Sequence, residues 1–441
     1  MTMINAYDNA NAGDLDPDDK ALIERRAQAL GPAYRLFYEK PLHIVRGEGV
    51  WLWDKRGKKY LDAYNNVASV GHCHPRVVQA ISEQLGVLNT HTRYLHEGVV
   101  AYAERLLATM PDALGHVMFT CTGSEANDIA LRIARSYTKR QGVIVTRLAY
   151  HGLTEAVAEL SPSLGAFTPR GKRIRLIDGP DTLRMSPEDQ GVKLAADLGK
   201  AIAEMRADGI EPAALIVDTI FSSDGLYPDP AGFLRQAVDL IHAEGGIFIA
   251  DEVQPGFART GDAFWGFQRH GLVPDMVTMG KPMGNGFPLS GVAMRPELVK
   301  DFGNNARYFN TFGGNPVAAA AGMAVLDVIE DEALQANALS TGAFLKDGLK
   351  DTASRHAAIG DVRGAGLFLA VECVSERQEN IPDAGRASFI VNHLRENSVL
   401  ISATGPGANI LKIRPPLVLD LNEAQLFLDA VETAFSASEL G

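Results

Sequence analysis

The chain has 441 residues, 46% hydrophobic and 22% charged, the balance of a soluble globular protein too long for one ordinary core. Its formal charge of −12 leaves no basic excess to attract a nucleic-acid backbone or an anionic membrane, and no apolar run is long enough to cross a bilayer. The three cysteines, Cys73, Cys121 and Cys373, form neither a disulfide framework nor a zinc pattern. With a polar N-terminus lacking signal-peptide features, they predict a cytoplasmic protein.

In chain order, residues 1–20 are polar and read as frayed. Residues 46–62 read as a hairpin, with aromatics alternating around a Lys55-Arg56-Gly57 turn. From about residue 75 to 320, helical patterns alternate with short apolar runs at 117–120, 143–147, 213–218, 246–250 and 276–279. That alternation predicts a mostly parallel sheet with helices on both faces. A long Ala-rich helix follows Pro316, from Val317 to about Glu332. Helix and strand then alternate more loosely over 338–350, 366–371, 388–396, 410–415 and 423–435, which predicts a smaller C-terminal α+β domain. The implied division is 1–74 as an N-terminal segment packing with the small domain, 75–320 as the large cofactor-binding domain and 321–441 as the small one.

Two of the apolar runs end on one ionisable residue followed by a turn: the first on Asp251, the second on Lys281. Ligands of open α/β sheets bind just outside the carboxyl ends of such strands. An amine and a carboxylate there suit pyridoxal 5'-phosphate (PLP). Lys281 would form the Schiff base, and Asp251 would hold the pyridine nitrogen protonated so that the ring can act as an electron sink. Upstream, Thr122-Gly123-Ser124-Glu125 turns from a strand into an amphipathic helix running to about Tyr137. The free N–H groups at that helix start suit a phosphate, although Thr122-x-x-Glu125 is also an ordinary capping box. Tyr150-His151-Gly152 follows another run, and Tyr150 can stack on a flat ring. Asp218 is a further strand-end carboxylate, and Phe309–Pro316 is a hydroxyl- and glycine-rich turn. No P-loop and no G-x-G-x-x-G after a strand is present, so nucleotide cofactors are poorly supported. No single motif decides; their order does.

In that order the motifs resemble a class III (ω-type) aminotransferase, a PLP-dependent enzyme of fold type I, over about residues 35–440. The most specific piece is Ile249-Ala-Asp-Glu-Val-Gln-Pro-Gly-Phe-Ala-Arg-Thr-Gly261. Residues 65–75, 92–96 and 280–286 are similar to the branch containing alanine–glyoxylate aminotransferase 2 and the ethanolamine-phosphate phospho-lyases. The resemblance implies an α/β fold with a mostly parallel seven-stranded sheet in the large domain and a smaller α+β domain. It gives Lys281 and Asp251 the roles above, sets Val253 against a ring face and Gln254 near the ring's phenolic oxygen. It makes Tyr150 the stacking aromatic, with His151 and Asp218 beside it, and Gly123 and Ser124 the phosphate cup. Thr311 would reach the phosphate from a neighbouring subunit, which implies a homodimer with shared active sites, or a tetramer of such chains.

Departures concern the substrate more than the cofactor. Asp218 stands where the family often has glutamate, and Asn310 where it commonly has serine. Near Pro415-Pro416, Lys412 replaces the arginine that forks a substrate carboxylate, and Arg414 is shifted by two. Alternate residues of a strand share a face, so the two cations can converge on a carboxylate or a phosphate. Arg93, Lys412 and Arg414 are the candidate anion contacts. The implied activity moves the amino group of a primary amine or ω-amino acid to a 2-oxo acid. Its alternative eliminates phosphate and ammonia from a phosphorylated amino alcohol such as ethanolamine phosphate. Neither needs a metal, a nucleic acid or a membrane.

Overall fold

The computed structural model describes residues 5–8, 15–375 and 379–439, so residues 1–4 and 9–14 of the expected frayed segment lie outside it. Residues 17–20 are not frayed: they open a helix, Pro17–Leu30. Asp16 caps it by accepting the Asp18 N–H at 2.9 Å, Pro17 presets the first turn, and Lys55 pairs with Asp19 at 2.9 Å. Strands β1 (Ile44–Glu48), β2 (Trp51–Asp54) and β3 (Lys59–Asp62) follow as an antiparallel meander, its second turn at the predicted Lys55-Arg56-Gly57.

The central sheet has seven strands: β4 (His116–Thr120), β5 (Gly142–Thr146), β6 (Ile174–Ile177), β7 (Pro212–Asp218), β8 (Ile247–Asp251), β9 (Met276–Met279) and β10 (Ser290–Met294). Their order is β4-β10-β9-β8-β7-β5-β6, and only β10 runs against its neighbours. The inner strands are buried along their length except at Asp218, the last residue of β7; Val143, Ile144 and Val145 show 0% exposure. Each such side chain contributes about 1.5–3 kcal/mol relative to leaving it in water. Two strands lay outside the predicted set. β6 is only four residues long, and β10, Ser-Gly-Val-Ala-Met, holds one β-branched residue and no alternation. What makes β10 a strand is hydrogen bonding on both sides, to β4 and β9.

The remaining strands are β11 (Ile359–Ala365), β12 (Phe368–Cys373), β13 (Val399–Leu400), β14 (Ser402–Thr404) and β15 (Ile410–Ile413). Four of them form an antiparallel sheet in the order β11-β12-β15-β14, backed by helices Leu334–Arg355, Ala384–Glu396 and Leu421–Ser438. β13 instead pairs with β3 in parallel, tying the N-terminal segment to the C-terminal part of the chain. The architecture is α/β: a large, mostly parallel sheet plus a smaller α+β part. Among the described residues no helix is long and apolar enough to cross a membrane.

Candidate active site

Because β7, β8 and β9 are parallel neighbours, their carboxyl ends share one edge. The register sets Asp218 beside Asp251 and Asp251 beside Thr278, with Lys281 just beyond β9. At this edge Gly123, Ser124, Tyr150, His151, Asp218, Asp251, Val253, Gln254 and Lys281 all line one cavity of about 280 Å³. That volume is near the lower end for small-molecule sites. Val67, Cys121, Thr122, Gly152 and the segment Gly286–Ser290, absent from the candidate set, complete its wall.

Lys281 opens a short 3-10 turn, Lys281–Gly284, that closes on Asn285 in the left-handed region at φ 47°. The Asn285 side chain accepts from Val70 N–H at 3.0 Å and donates to Gly71 O at 2.8 Å, so the N-terminal segment clamps the lysine's turn. Burial, with Arg414 nearby, pushes the Lys281 amine down to about 8. Roughly a tenth of it is therefore an unprotonated nucleophile at pH 7, far more than of an ordinary lysine.

Asp251 is 4% exposed and accepts three hydrogen bonds: from His151 Nδ1 at 2.6 Å, Asn127 Nδ2 at 3.0 Å and Val253 N–H at 3.1 Å. A buried carboxylate survives only with such partners. Asn127, which sequence reasoning missed, lies in the helix Gly123–Thr138 and looks like one more core position there. The next residue, Glu252, accepts from Thr219 Oγ1, Gly266 N–H and Phe267 N–H at 2.6, 2.7 and 2.8 Å, and burial pushes its carboxyl up to about 7. Those bonds pin the loop that follows Asp251.

The predicted phosphate cup is the N-terminus of helix Gly123–Thr138. Its capping box is complete, Thr122 Oγ1 accepting from Glu125 N–H and Glu125 accepting from Thr122 N–H. The Gly123 and Ser124 N–H groups have no partner among the described residues. Ser124 Oγ accepts from Leu153 N–H at 3.1 Å, which leaves its own proton to donate. Space is tight: a Cβ on Gly123 would come within 3.1 Å of Val253, and one on Gly152 (φ +138°) within 2.7 Å of Ser124 Cα. Only glycine permits both the turn and the approach.

The substrate candidates divide. Lys412 and Arg414, 7% and 8% exposed, do share a face: their charges lie over the same Phe368 ring, at 5.6 and 5.8 Å from its centroid. Arg414 bonds Gln254 Oε1 and, at 2.6 Å, Tyr64 O. The Lys412 ammonium makes no hydrogen bond or ion pair among the described residues, and burial together with Arg414 drives its pKa well down. Asp218 is pushed up by burial, an effect that the Ser222 hydroxyl opposes. Arg93 and Thr311, by contrast, are exposed and do not line the cavity of their own chain. Arg93 lies 3.9 Å over the Phe309 ring, so it belongs with the Thr311 loop.

The inventory is an amine that burial makes easier to deprotonate, a paired carboxylate, an aromatic wall and unpartnered N–H groups at a helix start. It fits a flat, phosphate-bearing aldehyde cofactor. A family model described as aminotransferase class-III matches residues 37–435. A *Drosophila melanogaster* protein named alanine–glyoxylate aminotransferase 2-like is 41% identical, over 92% of this chain and 85% of its own. An ethanolamine-phosphate phospho-lyase homolog of *Caenorhabditis elegans* is 37% identical, over 93% of each chain. Among solved structures, a phospholyase from Arthrobacter in complex with phosphoethanolamine superposes with a TM-score of 0.91 at 42% identity, over 94% of this chain and 99% of that one.

Proposed function

The chain belongs to the class-III aminotransferase family, enzymes with aminotransferase or phospho-lyase activity, and on that premise we propose that it uses PLP to move the amino group of a primary amine with an anionic end to a 2-oxo acid. The observation that carries this reading is the buried Lys281 amine, held at about 8 next to the paired Asp251. When bound, PLP supplies an aldehyde that takes up the amine and a ring that accepts an electron pair from the amine-bearing carbon. Lys281 Nζ anchors the cofactor and then takes the proton from that carbon. Asp251, oriented by His151 and Asn127, keeps a proton on the ring nitrogen. Gly123 and Ser124 would hold the phosphate, Tyr150 and Val253 would flank the ring, and Gln254 would face its oxygen.

A second reading is elimination. One observation favours it: Lys412 and Arg414 converge as two buried basic side chains without a carboxylate bonded to either, and a dianionic phosphate arriving there would restore the Lys412 charge. The likeness to the Arthrobacter phospholyase points the same way. The net reaction would convert a phosphorylated amino alcohol and water into an aldehyde, ammonia and phosphate. One assay separates the two. Purified enzyme is given β-alanine or ethanolamine phosphate, with and without pyruvate. Transfer requires pyruvate; ammonia and phosphate accumulating over many turnovers without it would assign the lyase. In either case Lys412→Met should raise KM for the anionic amine by the roughly 1.5–3 kcal/mol of a charge-assisted hydrogen bond. An equal loss with propylamine would make Lys412 part of the scaffold.

The active unit is a homodimer, in which the exposed Arg93–Phe309–Thr311 cluster serves the partner's site. Leu95 and Phe312, 102% and 69% exposed, are apolar surface that a second copy would cover. Dilution that yields monomers in analytical ultracentrifugation should abolish activity; a fully active monomer would remove the cross-subunit role. The reaction needs no membrane or nucleic acid, and the reading includes a cytoplasmic location.

A further inference from the structure

Ser222 lies four residues after Asp218, fully buried at 0% exposure. Its backbone N–H (3.2 Å) and its hydroxyl both donate to Asp218 Oδ2. A serine hydroxyl has one proton, and here it is given to Asp218. The Gln254 amide reaches the same hydroxyl oxygen at 2.6 Å. With its proton spent, Ser222 Oγ can only accept there, and Gln254 must present its NH₂. The amide is planar, so Oε1 then faces the opposite way, where Arg414 NH1 donates to it. Arg414 Nε meanwhile donates to Tyr64 O at 2.6 Å. These anchors leave NH2 and the second NH1 proton for a ligand. Each link of the chain Asp218–Ser222–Gln254–Arg414 thus sets the direction of the next.

We propose that Ser222 is a positioning residue that fixes the orientation of the Gln254 amide and, through it, holds Arg414 ready for the anionic end of the substrate. This rests on the reading that Arg414 binds that end. Without the hydroxyl, the Gln254 NH₂ loses its acceptor, so the amide is no longer tethered in place and Arg414 loses a fixed anchor. Lys412 has no such support to lose, so the effect passes through Arg414.

The test compares the unsubstituted holoenzyme with Ser222→Ala, using ethanolamine phosphate and propylamine. Alanine fits the space, and Asp218 keeps the Ile220 and Ser222 backbone N–H donors. The preference for the anionic amine should fall about tenfold, the scale of one lost hydrogen bond, through KM rather than kcat. Calorimetric titration with inorganic phosphate should weaken by a similar factor. In a Gln254→Ala background, Ser222→Ala should add no further loss, since the two act as one unit. Unchanged preference in Ser222→Ala, or losses that simply add, would overturn the role of Ser222 while leaving the anion site intact. An unsubstituted enzyme that neither prefers the anionic amine nor binds phosphate would remove the anion site itself, and this proposal with it.

Discussion

Replacing Lys281 by alanine should lower turnover roughly 10²–10⁴-fold, the range for losing a positioned proton-transfer group. The unsubstituted protein should absorb near the boundary of the visible and ultraviolet and bleach on borohydride treatment, with the label on Lys281; the variant should carry no such label at this site. The amine also makes a pH prediction. Only its unprotonated form attacks an aldehyde, and burial has pushed Lys281 down to about 8. Uptake of PLP by the cofactor-free chain should therefore quicken as pH rises through about 8, rather than near the usual lysine value. A Lys281→Ala protein with normal turnover and borohydride-fixed cofactor would end the assignment.

Asp251→Asn should retain some cofactor yet lose roughly 10²–10³-fold in kcat, the scale of removing one preorganised electrostatic contact. A neutral amide cannot keep a proton on the ring nitrogen. The hydrogen bonds also predict a structural penalty. The oxygen that faces His151 Nδ1 and Asn127 Nδ2 must stay an acceptor, which turns the new NH₂ toward Val253 N–H. One buried donor is then unsatisfied, costing about 1–3 kcal/mol. A melting curve separates this loss from the catalytic one. Near-normal turnover in a destabilised Asp251→Asn would make the aspartate structural.

The cofactor side was readable locally because each residue's position follows from the strand or helix it ends or begins. An apolar run stopping at Asp251 or Lys281 says which end of a strand the side chain occupies, and parallel neighbours bring such ends together whatever the loops do. The Thr122-x-x-Glu125 box marked the helix start to within two residues, the helix beginning at Gly123 rather than Glu125. β10 escaped because a strand made mostly of small residues, hydrogen-bonded on both sides, leaves no period in the sequence. Asn127 escaped because its partners His151 and Asp251 are distant in the chain.

By itself, then, the sequence determined the α/β architecture, the edge of the sheet where the candidate cavity lies and the amine–carboxylate pair at that edge, since all three follow from patterns a few residues long. Only the tertiary structure decided which charges meet. Lys412 and Arg414 are two of the chain's 42 basic residues; their alternation before Pro415 allowed them to converge, but nothing local told whether they were buried or solvated. Packing of β15 against Phe368 buries both, while the Thr311 loop carries Arg93 away from its own cavity. The direction of the Asp218–Ser222–Gln254–Arg414 chain was likewise undecided until folding gave the serine proton to Asp218 and left the serine oxygen to accept from Gln254. Charge and hydrogen-bond direction depend on distances between residues far apart in the chain, and those distances exist only in the folded protein.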